Sequence, residues 1–156
     1  MRILLFFLIG LMISVSAHAQ ENVTVKKGIT TLDPSTISRP NRYAHGKLVP
    51  MGAQMLYTAG QVGSDENGVY LDGIEAQADR AFSNLYDVVT AAGMGPDNVL
   101  KINLFYLKRA DIGVIMEARN RYFGDDFRPA QTALVVKSLA GPKILVEVEA
   151  IAAKVN

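Results

Sequence analysis

The sequence predicts an α/β protein of the α+β kind, a ββαβαββ sandwich in which one mixed sheet carries two helices on the same face. Three observations predict it. Two segments place apolar residues at helical spacing, short runs rich in β formers lie around them, and strand pairs open and close the order.

Residues 1–19 are expected to be an export signal. Arg2 supplies a charge, residues 3–15 form a short apolar run, and Ala17-His18-Ala19 offers small residues around a cleavage point after Ala19. The run is well short of the roughly 20 residues a membrane-spanning helix needs. The mature chain is therefore expected to be exported, periplasmic or secreted, with no membrane attachment after cleavage. There is no cysteine, so disulfides, an acyl anchor and thiol chemistry are all excluded. The sequence holds 16 Lys+Arg against 15 Asp+Glu, and loss of Arg2 makes them equal. A neutral chain without a basic stripe argues against nucleic acid as a partner. Residues 20–42 form a polar leading segment, the one stretch expected to lack order, and residues 43–156 form the domain.

Residues 49–51 and 56–62 read as a hairpin around Gly52-Ala53, followed by a loop at 63–68. From Ile74 the apolar positions Ala78, Ala81, Phe82, Leu85, Val88, Val89 and Ala92 make one helical stripe that stops at Gly93. Residues 99–107 read as a mostly buried strand. Asp111 is placed to cap a second helix with Ile112, Ile115, Met116, Tyr122 and Phe123 on one stripe; Arg119 is the odd member of that stripe, and Gly124 ends it. Residues 132–136 and 144–152 are two further strands joined by a turn at Gly141-Pro142. In the last strand, Val146, Val148 and Ala150 point one way and Glu147 and Glu149 the other. That second face either meets solvent or forms a subunit interface lined by acids.

Other chemistry finds little purchase. His45 is the one histidine outside the expected signal, and it reads as structural; no cluster has metal-ligand spacing, so no metal is expected. The glycines fall at stops and turns, with no phosphate-cradling loop, so no nucleotide cofactor is expected. No nucleophile-elbow pattern supports a serine triad.

Tyr57-Thr58-Ala59-Gly60-Gln61, Gln77 with Asn84 and Leu85, Ala91-Ala92-Gly93, Val99-Leu100-Lys101, Arg128-Pro129-Ala130, and Val146-Glu147-Val148-Glu149-Ala150-Ile151-Ala152 follow one another in an order and spacing that resembles the RidA/YjgF family of reactive-intermediate deaminases. The resemblance covers nearly all of the mature chain. It implies a chorismate-mutase-like fold, a homotrimer, and pockets between subunits. It also implies a pocket arginine directly after a Pro-Ala pair, which ion-pairs a 2-imino acid carboxylate, and a glutamate that orients the attacking water.

Here Pro129-Ala130 is followed by Gln131, an amide without charge where a guanidinium would give a permanent charge and a two-pronged fork. Arg128, at an odd offset from it, reads as a surface or loop residue. Ala59 stands where the family has serine, and Met116 aligns with a pocket asparagine that neither it nor Arg119 restores. Retained are Tyr43, His45, Gly60 and Glu147. The expected site is thus Glu147 as the catalytic residue, with Tyr43, Gly60 and Gln131 binding substrate.

Two functions follow. One is hydrolysis of a reactive imine or enamine with altered substrate preference, turnover of carboxylated imines being poor. The other is a non-catalytic homotrimer that holds a neutral or cationic small molecule between subunits. The endoribonuclease activity of some relatives ranks last, for want of a basic surface.

Overall fold

The computed structural model describes residues 23–155; the expected export signal lies outside them. The strands are β1 (Val23–Lys26), β2 (Ile29–Leu32), β3 (Gly46–Leu48), β4 (Gln54–Tyr57), β5 (Gln61–Val62), β6 (Val99–Tyr106), β7 (Ala130–Val135) and β8 (Val146–Lys154). The helices are α1 (Gly73–Ala91) and α2 (Ile112–Phe123).

One mixed sheet runs β4-β8-β6-β7, with β5 also paired to β8. β8 is antiparallel to β4, β5 and β6, and β6 is parallel to β7 across the α2 crossover. Both helices lie on one face. Phe82, Leu85 and Val89 of α1 and Ile115 of α2 share a core with Ile102 and Leu104 of β6 and Val146 and Val148 of β8, all fully buried. At 1.5–3 kcal/mol for each large apolar side chain removed from water, this layer dominates the fold's stability.

The helix ends follow the sequence. Gly93, at φ +66°, closes α1 with Gly93 N–H donating to Thr90 O and Met94 N–H to Val89 O, the paired bonds of a Schellman stop. Asp111 does precede α2, but its side chain makes no capping bond; a 3₁₀ turn at Arg109–Asp111 leads in instead.

Two expectations about the N-terminal half are corrected. The hairpin expected from residues 49–51 and 56–62 does not form. Gly52 does turn, at φ +83°, but the strand before it is earlier, at Gly46–Leu48, and pairs with β2. The strand after it is interrupted at residues 58–60, leaving β4 and β5 separately on β8.

The leading segment is also ordered over much of its length. β1 and β2 form a hairpin through Lys27-Gly28, at φ +49° and +74°, the positive pair a two-residue turn requires. With β3 they make a second sheet. Ile29 anchors this small sheet against Leu100 and Ala153. A bulge between Val99 and Lys101 shifts the alternation of β6, so Val99 joins the main core while Leu100 joins the small one.

Candidate functional site

The face on which each side chain lies follows from register, because residues directly opposite in a ladder share a face. Gln131 is opposite Ile102, a core residue on the helix side. Glu147 is opposite Phe105 and Glu149 opposite Asn103, on the other side. Within one chain, therefore, Gln131 and Glu147 are on opposite faces of the sheet.

On the helix side, Gln131 meets α2. Arg119 is 1% exposed, and its guanidinium is held at all three nitrogens: Nη1 donates to Gln131 Oε1 at 3.0 Å and to Arg42 O at 3.0 Å, while Nε and Nη2 donate to Asn120 Oδ1 at 3.1 and 2.8 Å. The group also lies over the Phe127 ring, 5.6 Å from its centroid. No carboxylate among the described residues pairs with it. Burial, with a smaller contribution from Arg42, pulls its pKa down to about 10, which leaves it charged at neutral pH. Gln131 Nε2 faces Met116 Sδ at 3.9 Å.

Tyr43 reaches this half of the site through the backbone. Ala44 bridges to Ala130, and Ala44 N–H donates to Pro129 O, which sets Tyr43 beside the start of β7. Its side chain is exposed and meets His45 edge-on at 6.2 Å.

Arg128, expected at the surface or in a loop, does lie in the loop before β7 but is half-buried and paired rather than free at the surface. Its Nη2 pairs with Asp33 Oδ2 at 3.0 Å and donates to Pro40 O and Tyr43 O, both at 2.8 Å. Asp33 is 3% exposed. Burial raises its pKa, but the His45 N–H bond and the cations Arg128 and Arg39 outweigh that, so the net pKa lies below the ordinary aspartate value. Arg128 and Asp33 thus fasten the segment that carries Tyr43. His45 belongs to the same fastening: its N–H binds Asp33 and its Nε2 lies 2.9 Å from Ser38 O.

The opposite face carries the acids. Asn103 Nδ2 donates to Glu149 Oε1 at 2.7 Å. Glu147 lies against Gly60 in the gap between β4 and β5, so close that a Cβ at position 60 would overlap its carboxylate. Among the described residues Glu147 makes no hydrogen bond or ion pair. The gap is closed at its other end by Thr58, whose N–H donates to Ala150 O and whose Oγ1 accepts from Ala150 N–H.

The four expected site residues thus fall into two pairs, Tyr43 with Gln131 and Gly60 with Glu147. Sequence reasoning missed Arg119 as Gln131's partner; the signal was a charged side chain inside an apolar stripe. A cleft of about 530 Å³ between the small sheet and the loop before β7 is lined by Lys47, Asp97 and Arg128, and by none of the four. A smaller cavity of about 140 Å³ on the acid face is lined by Tyr57, Lys101, Asn103 and Glu149.

A two-helix mixed-sheet domain with polar groups divided between its faces defines the class, and comparison with known proteins defines the family. The Endoribonuclease L-PSP family model matches residues 36–154, and the chain belongs to this family, the RidA/YjgF group. It is 32% identical over 121 residues to a human 2-iminobutanoate/2-iminopropanoate deaminase, covering 76% of this chain and 86% of that one. It is 33% identical over 101 residues to a RutC family protein of Synechocystis, covering 62% and 76%. Among solved structures, a Rid family protein from Yersinia pestis superposes with a TM-score of 0.71 at 27% identity, over 81% of this chain and 98% of that one.

Proposed function

We propose that the protein hydrolyses a small reactive imine or enamine in a pocket completed by a second copy of the chain, with a substrate preference altered by Gln131. The observation that carries this reading is Glu147. Its carboxylate lies against a bare glycine without a partner among the described residues, the state a proton acceptor for water needs. Similarity to a protein named as an imine deaminase supports the reaction class. Because the two pairs of site residues lie on opposite faces, a pocket that uses all four draws one pair from each of two subunits; a homotrimer is the assembly we propose.

In the reaction, Glu147 takes a proton from water as the oxygen attacks the imine carbon and a C–O bond forms. Glu147 hands that proton to the nitrogen, which takes a second from the new hydroxyl as the C–N bond breaks, so ammonia leaves with both hydrogens of the water and the carbon keeps the oxygen as a carbonyl. Tyr43 and Gln131 orient the substrate. The export expected of residues 1–19 would place this chemistry outside the cytoplasm; N-terminal sequencing of the exported protein should then begin at Gln20.

Ammonia release from 2-iminopropanoate tests the proposal. Slow turnover by the wild type and none by Glu147→Gln is the expected pattern. Turnover unaffected by Glu147→Gln would remove the catalytic role. Absence of turnover on any imine, with a ligand-dependent rise in melting temperature, would favour a binding protein.

A further inference from the structure

We propose that Arg119 is the positioning residue that sets what the Gln131 side of the pocket accepts: a hydrogen-bond acceptor, such as a carbonyl or carboxylate oxygen, and not an amine. This rests on the reading of Gln131 as a pocket residue.

An amide is ambivalent, offering an acceptor at one atom and two donors at the other, and it turns to suit its neighbours. Gln131 has no such freedom. The Arg119 fork has only donors, so the atom 3.0 Å from Nη1 must be the amide oxygen; the flipped amide would set N–H against N–H. The oxygen is thereby consumed inside the protein. The two Nε2 hydrogens remain, and their one neighbour of any acceptor character is the Met116 thioether at 3.9 Å, a weak acceptor. Gln131 is itself only partly buried. The site therefore presents a donor.

The guanidinium strengthens that donor. It is sealed from water at 1% exposure and has no carboxylate partner among the described residues. Its charge is therefore screened by neither solvent nor counterion, and it withdraws electron density from Gln131 through the oxygen it binds. A cation stands one amide behind the surface of the site. An anionic or carbonyl oxygen gains from that field, and an ammonium group is repelled by it. Arg42 O and Asn120 Oδ1 hold the fork from the other side, so it cannot swing out to meet ligand directly.

The assembled mature protein tests this with three probes: 2-oxobutanoate, its methyl ester, and sec-butylamine. The wild type should bind the oxo acid most tightly, the ester more weakly, and the amine not at all at the same concentrations. Arg119→Met should weaken oxo acid binding about tenfold, Gln131→Met should do likewise, and the double variant should lose no more than the worse single one, as expected of residues acting as a unit. Because Arg119→Met risks the fold, Gln131→Glu supplies a second arm. A carboxylate there would pair with the buried guanidinium, raising the melting temperature by about 4 °C and removing oxo acid binding; the rise should vanish as pH falls below about 4 and the acid protonates.

The proposal is overturned by oxo acid binding that survives Arg119→Met, by equal binding of the amine, by no binding of any probe to the wild type, or by a Gln131→Glu variant that melts lower than the parent. Failure of catalysis is a separate result. Absent ammonia release with the probe pattern intact would sink the hydrolase reading alone, whereas turnover indifferent to Arg119→Met would sink Arg119's role alone.

Discussion

The two faces of the main sheet hold their polar groups in opposite ways. On the helix side, Arg119, Gln131, Asn120 and the Arg42 carbonyl form a closed network whose central guanidinium is out of water. On the other face, Glu149 has a single bond to Asn103 and Glu147 has none among the described residues. The first arrangement fixes geometry within one chain. The second leaves a base free to move a proton, and for that it depends on what another surface brings. A binding element is best held by partners that fix its orientation, whereas a reacting carboxylate is best left with an open lone pair.

Substitutions that break this contrast should differ in scale. Gly63→Ala tests the scaffold beneath both faces: a Cβ there would overlap the Gln77 backbone in α1. Neither chain can yield, so a loss above about 3 kcal/mol is expected in denaturant titrations. Gln77 is itself buried and ties Leu71 O, Lys143 O and Leu145 N–H together, which makes this close approach a fixed one.

Arg119→Met comes next. It strips a donor from Gln131 Oε1, Arg42 O and Asn120 Oδ1, and at about 1–3 kcal/mol for each acceptor left unsatisfied in the interior, partly recovered by rearrangement, a net loss of about 2–3 kcal/mol is expected. Gly60→Ala should cost less than about 1 kcal/mol, because the atoms nearest its Cβ all belong to the flexible Glu147 side chain. It should nonetheless abolish ammonia release by displacing that carboxylate. Equal stability losses for Gly60→Ala and Gly63→Ala would show that the acid face is as rigid as the scaffold.

The smallest effect concerns pH. The folded-state pKa of Asp33 is lowered, so its contribution to stability is fully present above the unfolded value of 3.8 and is lost as pH falls from there through the folded value. Acid unfolding of the wild type should show that slope, and Asp33→Asn should flatten it. An unchanged slope would place the acid sensitivity elsewhere.

Much of this architecture was legible in the residue pattern, and the misses have physical causes. Both helices were readable because an apolar stripe at helical spacing is a local signal, and Gly93 and Gly124 ended them where expected. The alternation of β8 correctly separated Val146 and Val148 from Glu147 and Glu149. β1 and β2 were missed because each is only four residues long and β1 is exposed throughout; their one strong apolar anchor, Ile29, finds its partners Leu100 and Ala153 only through distant chain. The partner of β3 was misjudged for a similar reason, since a turn at Gly52 does not specify which strands pair. For the site, residue types were legible but faces were not. Whether Gln131 looked toward α2 depended on its register with Ile102, which no local pattern encodes. Arg128 looked superficial until Asp33, far away in sequence, supplied its partner.

The backbone between Asp33 and Tyr43 has a consequence of its own. It is pinned by Arg128 at Pro40 and Tyr43 and by Arg119 at Arg42, so three anchoring carbonyls within four residues belong to a loop that contributes almost no side chain to the chemistry. Lengthening or exchanging that loop would release one prong of the buried fork and let the glutamine amide turn over. Homologues that differ only in this stretch should therefore diverge in ligand choice while every residue lining the cavity stays the same.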